Sequence, residues 1–178
     1  MANTELDDRV MSEETKETSK RRLLKLCMKG EWGKVVDTYE KDKMAHTATI
    51  TSTGDTALHL AVTDGQYYVV RQLVKLISSE DLAIMNERGN TALHFAASMG
   101  SLEMCECIAS AEPSSLLRMR NVDGETPLFL AALHGSKEAF LCLHYLSITY
   151  QMDLNNYSTF IRYDGDNILH SAIAGDFF

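Results

Sequence analysis

Apolar residues recur at helical spacing in three segments of the chain. In residues 67–77 they lie three or four positions apart, as on the buried face of a helix: Val69, Val70, Leu73, Val74 and Ile77. Residues 102–109 and 137–146 are equivalent segments, 35 and 70 positions further on. The last of them is apolar almost all round, which predicts a helix that is buried on both sides in the interior of an array.

A shorter string precedes each of these helices, between two regularly spaced glycines. It reads Thr-Ala-Leu-His-Leu-Ala at 56–61, Thr-Ala-Leu-His-Phe-Ala at 91–96, Thr-Pro-Leu-Phe-Leu-Ala at 126–131 and Asn-Ile-Leu-His-Ser-Ala at 167–172. The threonine predicts a helix N-cap, the leucine points into a stack, and the following glycine ends the helix in the left-handed conformation. The positions assigned to holding the stack together are Thr56, Leu58, His59, Gly65, Thr91, Leu93, His94, Gly100, Thr126, Leu128, Gly135, Leu169 and His170.

The string and its period of 35 residues resemble the ankyrin repeat. The resemblance implies an all-α solenoid of helix-turn-helix units, with about four repeats and a truncated fifth. The repeat bounds are 20–51, 52–86, 87–121, 122–162 and a partial 163–178. The first repeat is cryptic, with a short helix at 21–29 and a second helix at 31–39. Spacing from Gly124 to Gly165 is 41, which predicts an insertion around 151–159.

Composition and charge argue against several classes of protein, among them nucleic-acid-binding, membrane-spanning and secreted proteins. The chain has 178 residues, 25 Asp and Glu against 17 Lys and Arg, and a net charge of −8. An acidic balance argues against a nucleic-acid groove. There is no apolar run that spans a bilayer and no secretory signal. Four cysteines without C-x-x-C spacing favour a reducing, cytoplasmic location. Residues 1–19 hold six acids against two basic residues, which predicts a disordered tail.

Reactive groups do not converge in this sequence. Equivalent histidines of stacked units are about 8–10 Å apart and cannot share a metal ion, so His59 and His94 are expected to bond to turn backbone. There is no nucleophile elbow and no phosphate-binding loop. We therefore expect no catalysis, no metal and no cofactor; an independent enzyme is the third hypothesis.

Ankyrin proteins commonly contact partners through turn tips and the ends of the first helices, on a concave surface. The resemblance carries that role to the matching positions of this chain: Asp55, Thr63, Asp64, Arg88, Asn90, Ser98, Met99, Asp123, Glu125, Leu133 and His134. The leading hypothesis is a non-catalytic protein–protein interaction scaffold, whose partner is another protein and not a nucleic acid. A basic stripe on the first helix is either the solvated face of a capping unit or a contact for an anionic partner or membrane surface: Arg21, Arg22, Lys25 and Lys29.

A narrower resemblance comes from two segments. Lys-Gly-Glu-Trp-Gly at 29–33 and the run at 165–175 are similar to plant ankyrin proteins that carry a C-terminal transmembrane module named for its Pro-Gly-Gly motif. The resemblance implies stress or defence signalling at the cytosolic face of a membrane. This chain has neither that motif nor transmembrane helices, so we expect it to be an N-terminal fragment or a truncated isoform. The alternative function is the cytosolic sensor or regulatory half of a longer multi-pass membrane protein. Without a second helix to cover it, the last unit is expected to fray and self-associate.

Overall fold

The computed structural model describes residues 17–150 and 160–170, and within them the fold is all-α. Helix α1 covers 17–28 of the described residues. The following helices are α2 (Trp32–Lys41), α3 (Ala57–Thr63), α4 (Tyr67–Leu76), α5 (Ser79–Leu82), α6 (Ala92–Ser98), α7 (Leu102–Ala111), α8 (Pro113–Leu116), α9 (Pro127–Leu133) and α10 (Lys137–Thr149), with a 3₁₀ turn at Lys43–Ala45. The predicted helix pairs are present in every unit from the first to the fourth.

The first helix of each unit ends in the same backbone motif. The amide of Gly65 donates to the carbonyl of Val62 at 2.9 Å, and the amide of Gln66 donates to the carbonyl of Ala61 at 2.9 Å. This is the Schellman arrangement, in which a glycine with positive φ satisfies two orphan carbonyls. The same two bonds occur one unit earlier at Gly30 and in later units at Gly100 and Gly135. Helix α1 is therefore the first helix of a complete unit, although its sequence lacks the Thr-x-Leu-His string.

The units stack through two rows of helices. First helices α3, α6 and α9 pack on one another in order, and second helices α2, α4, α7 and α10 form a parallel row. The leucines of three strings lie in the interior between the rows, since Leu58, Leu93 and Leu128 are 3%, 0% and 1% exposed. The prediction of an all-α solenoid is confirmed.

Helix α10 differs from its prediction. It packs against α7 and α9, and Ala139 and Leu143 on those sides are fully buried. Its remaining face is open, with Leu141, Tyr145 and Ile148 52%, 67% and 53% exposed. The predicted burial on both sides is wrong, because an all-round apolar sequence does not reveal which face lacks a neighbour.

The last described unit also departs from the expected pattern. Asn167 caps its start: the Asn167 side-chain oxygen accepts the amide of His170 at 3.0 Å, and the Asn167 amide donates to His170 Nδ1 at 3.4 Å. Leu169, assigned to the stack interior, is instead 56% exposed, because no second helix among the described residues covers it. At the other end, residues 17–19 belong to helix α1 and not to the tail. The rest of the tail, the insertion at 151–159 and residues 171–178 lie outside the described residues.

Candidate functional site

The ends of the first helices form one continuous surface, which we call the first-helix face. It consists of the last turns and C-caps of α3, α6 and α9, brought side by side because each helix ends at the same point of its unit. Thr63, Asp64, Met99 and His134 are exposed there, and Met99 has 48% of its surface accessible. Ser98 and Leu133 are half-buried between them. Six of the partner-contacting residues predicted from the sequence therefore lie on this face.

Two buried histidines, near the N-terminal ends of α3 and α6, connect successive units. The backbone amide of Thr56 donates to His59 Nδ1 at 3.2 Å, which makes Nδ1 an acceptor and leaves the ring proton on Nε2. That proton points to the carbonyl of Asn90 in the next unit at 3.1 Å. His94 repeats the arrangement, accepting from Thr91 at 3.1 Å and donating to the Glu125 carbonyl at 3.1 Å.

Burial keeps the imidazole rings of His59 and His94 in the neutral form. Burial lowers the pKa of His94 to about 4 and lowers the pKa of His59 as well, although the backbone acceptors and Asp55 oppose this. Both rings thus act as hydrogen-bonding ties, in agreement with the expectation that they bond to turn backbone. In the third string Phe129 occupies this position, 1% exposed, and Thr126 caps its helix by accepting the Phe129 amide at 3.1 Å.

A ladder of side chains connects the turns, which sequence reasoning missed. The Asn86 Nδ2 group donates to Asp55 Oδ1 of the preceding unit at 2.8 Å. One unit later, Asn121 Nδ2 donates to Asn90 Oδ1 at 3.1 Å. Arg162 occupies the equivalent position after the insertion and faces Glu125 Oε1 at 3.6 Å. The signal is present in the sequence, because Asn86 and Asn121 are 35 residues apart and each lies five positions before the capping threonine.

Backbone bonds run beside this ladder. The amide of Glu87 donates to the carbonyl of Thr53, that of Val122 to Arg88, and that of Tyr163 to Asp123, at 2.9, 3.0 and 3.2 Å. Each turn is therefore fixed on the previous one by main chain as well as by side chain. Neighbouring units cannot slide past one another without breaking both sets of bonds.

Three of the residues predicted to contact a partner are instead engaged in or beside the ladder. Asp55 accepts from Thr51, Thr53 and Asn86, and these bonds lower its pKa although partial burial alone raises it. Asn90 is engaged through both its side chain and its carbonyl. Glu125 is 7% exposed and accepts from Asn121 at 2.8 Å. All three serve the contact between units, whereas Arg88 and Asp123 remain exposed at the turn tips.

Comparison with known families decides the classification. A model of ankyrin repeats in three copies matches residues 21–115, slightly more than half of the chain. The chain belongs to the ankyrin-repeat family. The match begins at residue 21, within α1, so the cryptic first unit counts as an ankyrin repeat. The same backbone motif continues beyond the matched region into the unit of α9 and α10. No curated protein matches the chain significantly.

Ankyrin repeats are generally protein–protein interaction modules. Within residues 17–150 and 160–170, no three His, Cys, Asp or Glu side chains converge as a metal site. Burial raises the pKa of Cys27 and of Cys105 to about 12, so both remain thiols at neutral pH. Among the helices of the described part, none has the length and apolarity to cross a bilayer.

Replacing Asn121 tests the ladder. Its Oδ1 accepts the amides of Asp123 and Glu125 at 3.1 and 2.9 Å while its Nδ2 binds Asn90 and Glu125, and the residue is 6% exposed. Asn121→Ala leaves these buried groups unpaired and should reduce the free energy of unfolding by about 1–3 kcal/mol. Urea denaturation followed by circular dichroism measures the change. Asp123→Ala, in the exposed part of the same turn, is the control; an equal loss in both variants would contradict the role of the ladder.

Proposed function

We propose that the chain binds another protein through the first-helix face, as a non-catalytic scaffold. The observation that carries the proposal is that the polar residues of each unit fall into two groups, one bonded within the stack and one exposed. The capping threonines, the histidines and the turn ladder are engaged inside the stack, whereas Thr63, Asp64, Met99 and His134 are exposed in one row. Exposed side chains held on fixed helices bind at a low cost in entropy.

The chemistry of the face supports a mixed contact. Met99 offers a flexible apolar group, and Leu133 lies half-buried beside exposed His134. Asp64 contributes a carboxylate held by Trp32 Nε1 at 3.2 Å and by Gln66 Nε2 at 3.0 Å. Arg88 and Asp123 are exposed at the turn tips, which precede the N-terminal ends of α6 and α9. An apolar centre with charged groups at its edge is typical of protein interfaces.

The test is affinity purification from the chain's own tissue with mass spectrometry, followed by measurement of the partner's affinity. Met99→Glu combined with His134→Glu places charge at two exposed positions of the face. We expect the partner's affinity to fall at least about tenfold. The matched control is Tyr68→Glu, because Tyr68 is 79% exposed on the second helix α4. A partner that is retained by the double variant and lost by the control would overturn the proposal.

We further propose, from the segments at 29–33 and 165–175, that the scaffold acts in the cytoplasm of a plant cell in stress or defence signalling. The alternative is that it forms the cytosolic sensor half of a longer multi-pass membrane protein. Sequencing of the native transcript separates the two. A reading frame that continues into about four apolar helices supports the sensor, and one without them supports the free scaffold.

A further inference from the structure

The first repeat is basic in an otherwise acidic chain. Residues 20–51 contain eight of the 17 Lys and Arg but only four of the 25 Asp and Glu. The chain as a whole has a net charge of −8. A positive region on a negative molecule attracts anionic groups.

A groove opens in this basic repeat between α1, α2 and residues 42–48. It has a volume of about 670 Å³. Its apolar lining consists of Leu23, Leu26, Met44, Ala45 and Ala48, of which Met44 is 61% exposed, Leu26 and Ala48 are half-buried, and Leu23 and Ala45 are buried. Among the described residues, no repeat packs on this side of α1. The groove therefore exposes apolar surface that an internal repeat buries against its neighbour.

Cations border the groove. Lys20, Arg22 and Lys41 line it without an ion pair to any residue that the structure describes, and Lys34 lines it while paired with Glu31. Asp37 and Asp42 are the acidic groups of the same lining. Lys25 and Lys29 of the same repeat are exposed but do not line the groove. The occupant that fits is a short segment with apolar side chains and flanking carboxylates.

Residues 1–16 have that composition and are attached at the groove. Leu6, Val10 and Met11 are their larger apolar residues after Met1. The carboxylates around them are Glu5, Asp7, Asp8, Glu13 and Glu14, against Arg9 and Lys16. The segment joins α1 at residue 17, two positions before Ser19 of the lining. Sixteen residues reach up to about 50 Å when extended, and such a tether gives a millimolar effective concentration.

We propose that residues 1–16 occupy this groove, with Leu6 and Val10 on its apolar walls and their carboxylates facing Lys20, Arg22 and Lys41. The segment then covers the uncovered end of the stack in the place of a preceding repeat. It also screens the basic repeat, so an anionic partner reaches these three cations only by displacing it. This contact is separate from the first-helix face and does not depend on the proposed function.

Zero-length carbodiimide cross-linking of the full chain, read by mass spectrometry, tests the contact. The reagent joins a carboxylate to a lysine amine only where the two touch. We expect cross-links from the acids of residues 1–16 to Lys41 of α2 to exceed those to Lys25 by at least about threefold, because an occupied groove concentrates the segment there. Lys25 is the matched control, since it is exposed on the helix to which the segment is attached.

Substitutions in residues 1–16 distinguish cross-links that form because the segment is bound in the groove from those that form by random collision. Leu6→Ser with Val10→Ser keeps every charge, and we expect it to reduce the Lys41 cross-links while those to Lys25 stay the same. A mixture of ¹⁵N-labelled and unlabelled chain shows whether each link forms within one molecule. Equal yields at Lys41 and Lys25, yields that the double variant leaves unchanged, or links that join two molecules would each overturn the proposal.

Discussion

Gly89→Ala is expected to destabilise the protein much more than Gly65→Ala, although both glycines have φ near +70°. A side chain at either position pays the left-handed backbone penalty, about 1–2 kcal/mol. At Gly65 an added Cβ meets nothing within 4 Å, whereas at Gly89 it lies 2.9 Å from Asn121 Cα and from Val122 N of the next turn. Backbone atoms cannot avoid the added Cβ by a change of rotamer, so overpacking at Gly89 adds about 1–3 kcal/mol or more to the loss of stability.

Urea denaturation of three alanine variants separates the two causes. Gly33→Ala is the reference, because Gly33 has no positive φ and an added Cβ there meets nothing within 4 Å. We expect Gly33→Ala to be neutral or slightly stabilising, because alanine is favoured over glycine within helix α2. Gly65→Ala should cost the backbone penalty alone, and Gly89→Ala should cost about 2–5 kcal/mol in total. Equal losses at Gly65 and Gly89 would show that the turns are not packed as tightly as the ladder requires.

The elements that depend on local rules could be predicted from the sequence. A threonine cap, an inward leucine and a closing glycine each act within one turn of helix, so Thr91, Leu93 and Gly100 have the predicted roles. The end of the cryptic first helix could also be predicted to within one residue, because Gly30 keeps the register of the later closing glycines, whereas its start at residue 17 precedes the predicted residue 21. Local chemistry repeated at a fixed period is sufficient to define the stack.

Contacts between units could not be predicted in the same way. Asp55, Asn90 and Glu125 are polar residues in turns, which indicates exposure when each turn is considered alone. They are engaged because a side chain at least 31 residues away lies directly opposite: that of Asn86 for Asp55, that of Asn121 for Asn90, and those of His94 and Arg162 for Glu125. Helix α10 shows the converse, since its apolar face at Tyr145 has no opposing neighbour among the described helices. Neither result follows from composition without the positions of the adjacent units.

The buried histidines make the protein sensitive to mild acid. The pKa of His94 is about 4 in the folded chain, against 6.5 for the free side chain, so the unfolded chain binds a proton that the folded chain does not. A lowered histidine pKa gives stability that is fully present above about pH 6.5 and is lost as the pH falls toward 4. We expect His94 alone to remove roughly 2–3 kcal/mol between about pH 7 and about pH 4.5. His59 acts in the same direction.

The variant His94→Phe isolates this effect, because the fold already accepts phenylalanine at the equivalent position, where Phe129 is buried. The variant loses the bonds to Thr91 and Glu125 and should be less stable than the wild type at neutral pH. Its further loss on acidification should be smaller by the His94 contribution, since only His59 of the pair still takes up a proton on unfolding. Denaturation midpoints across this pH range measure both quantities. The range lies above the lowered pKa of Asp55, whose contribution is lost only in stronger acid. If the variant loses as much stability as the wild type, the imidazole of His94 is not held neutral by the stack.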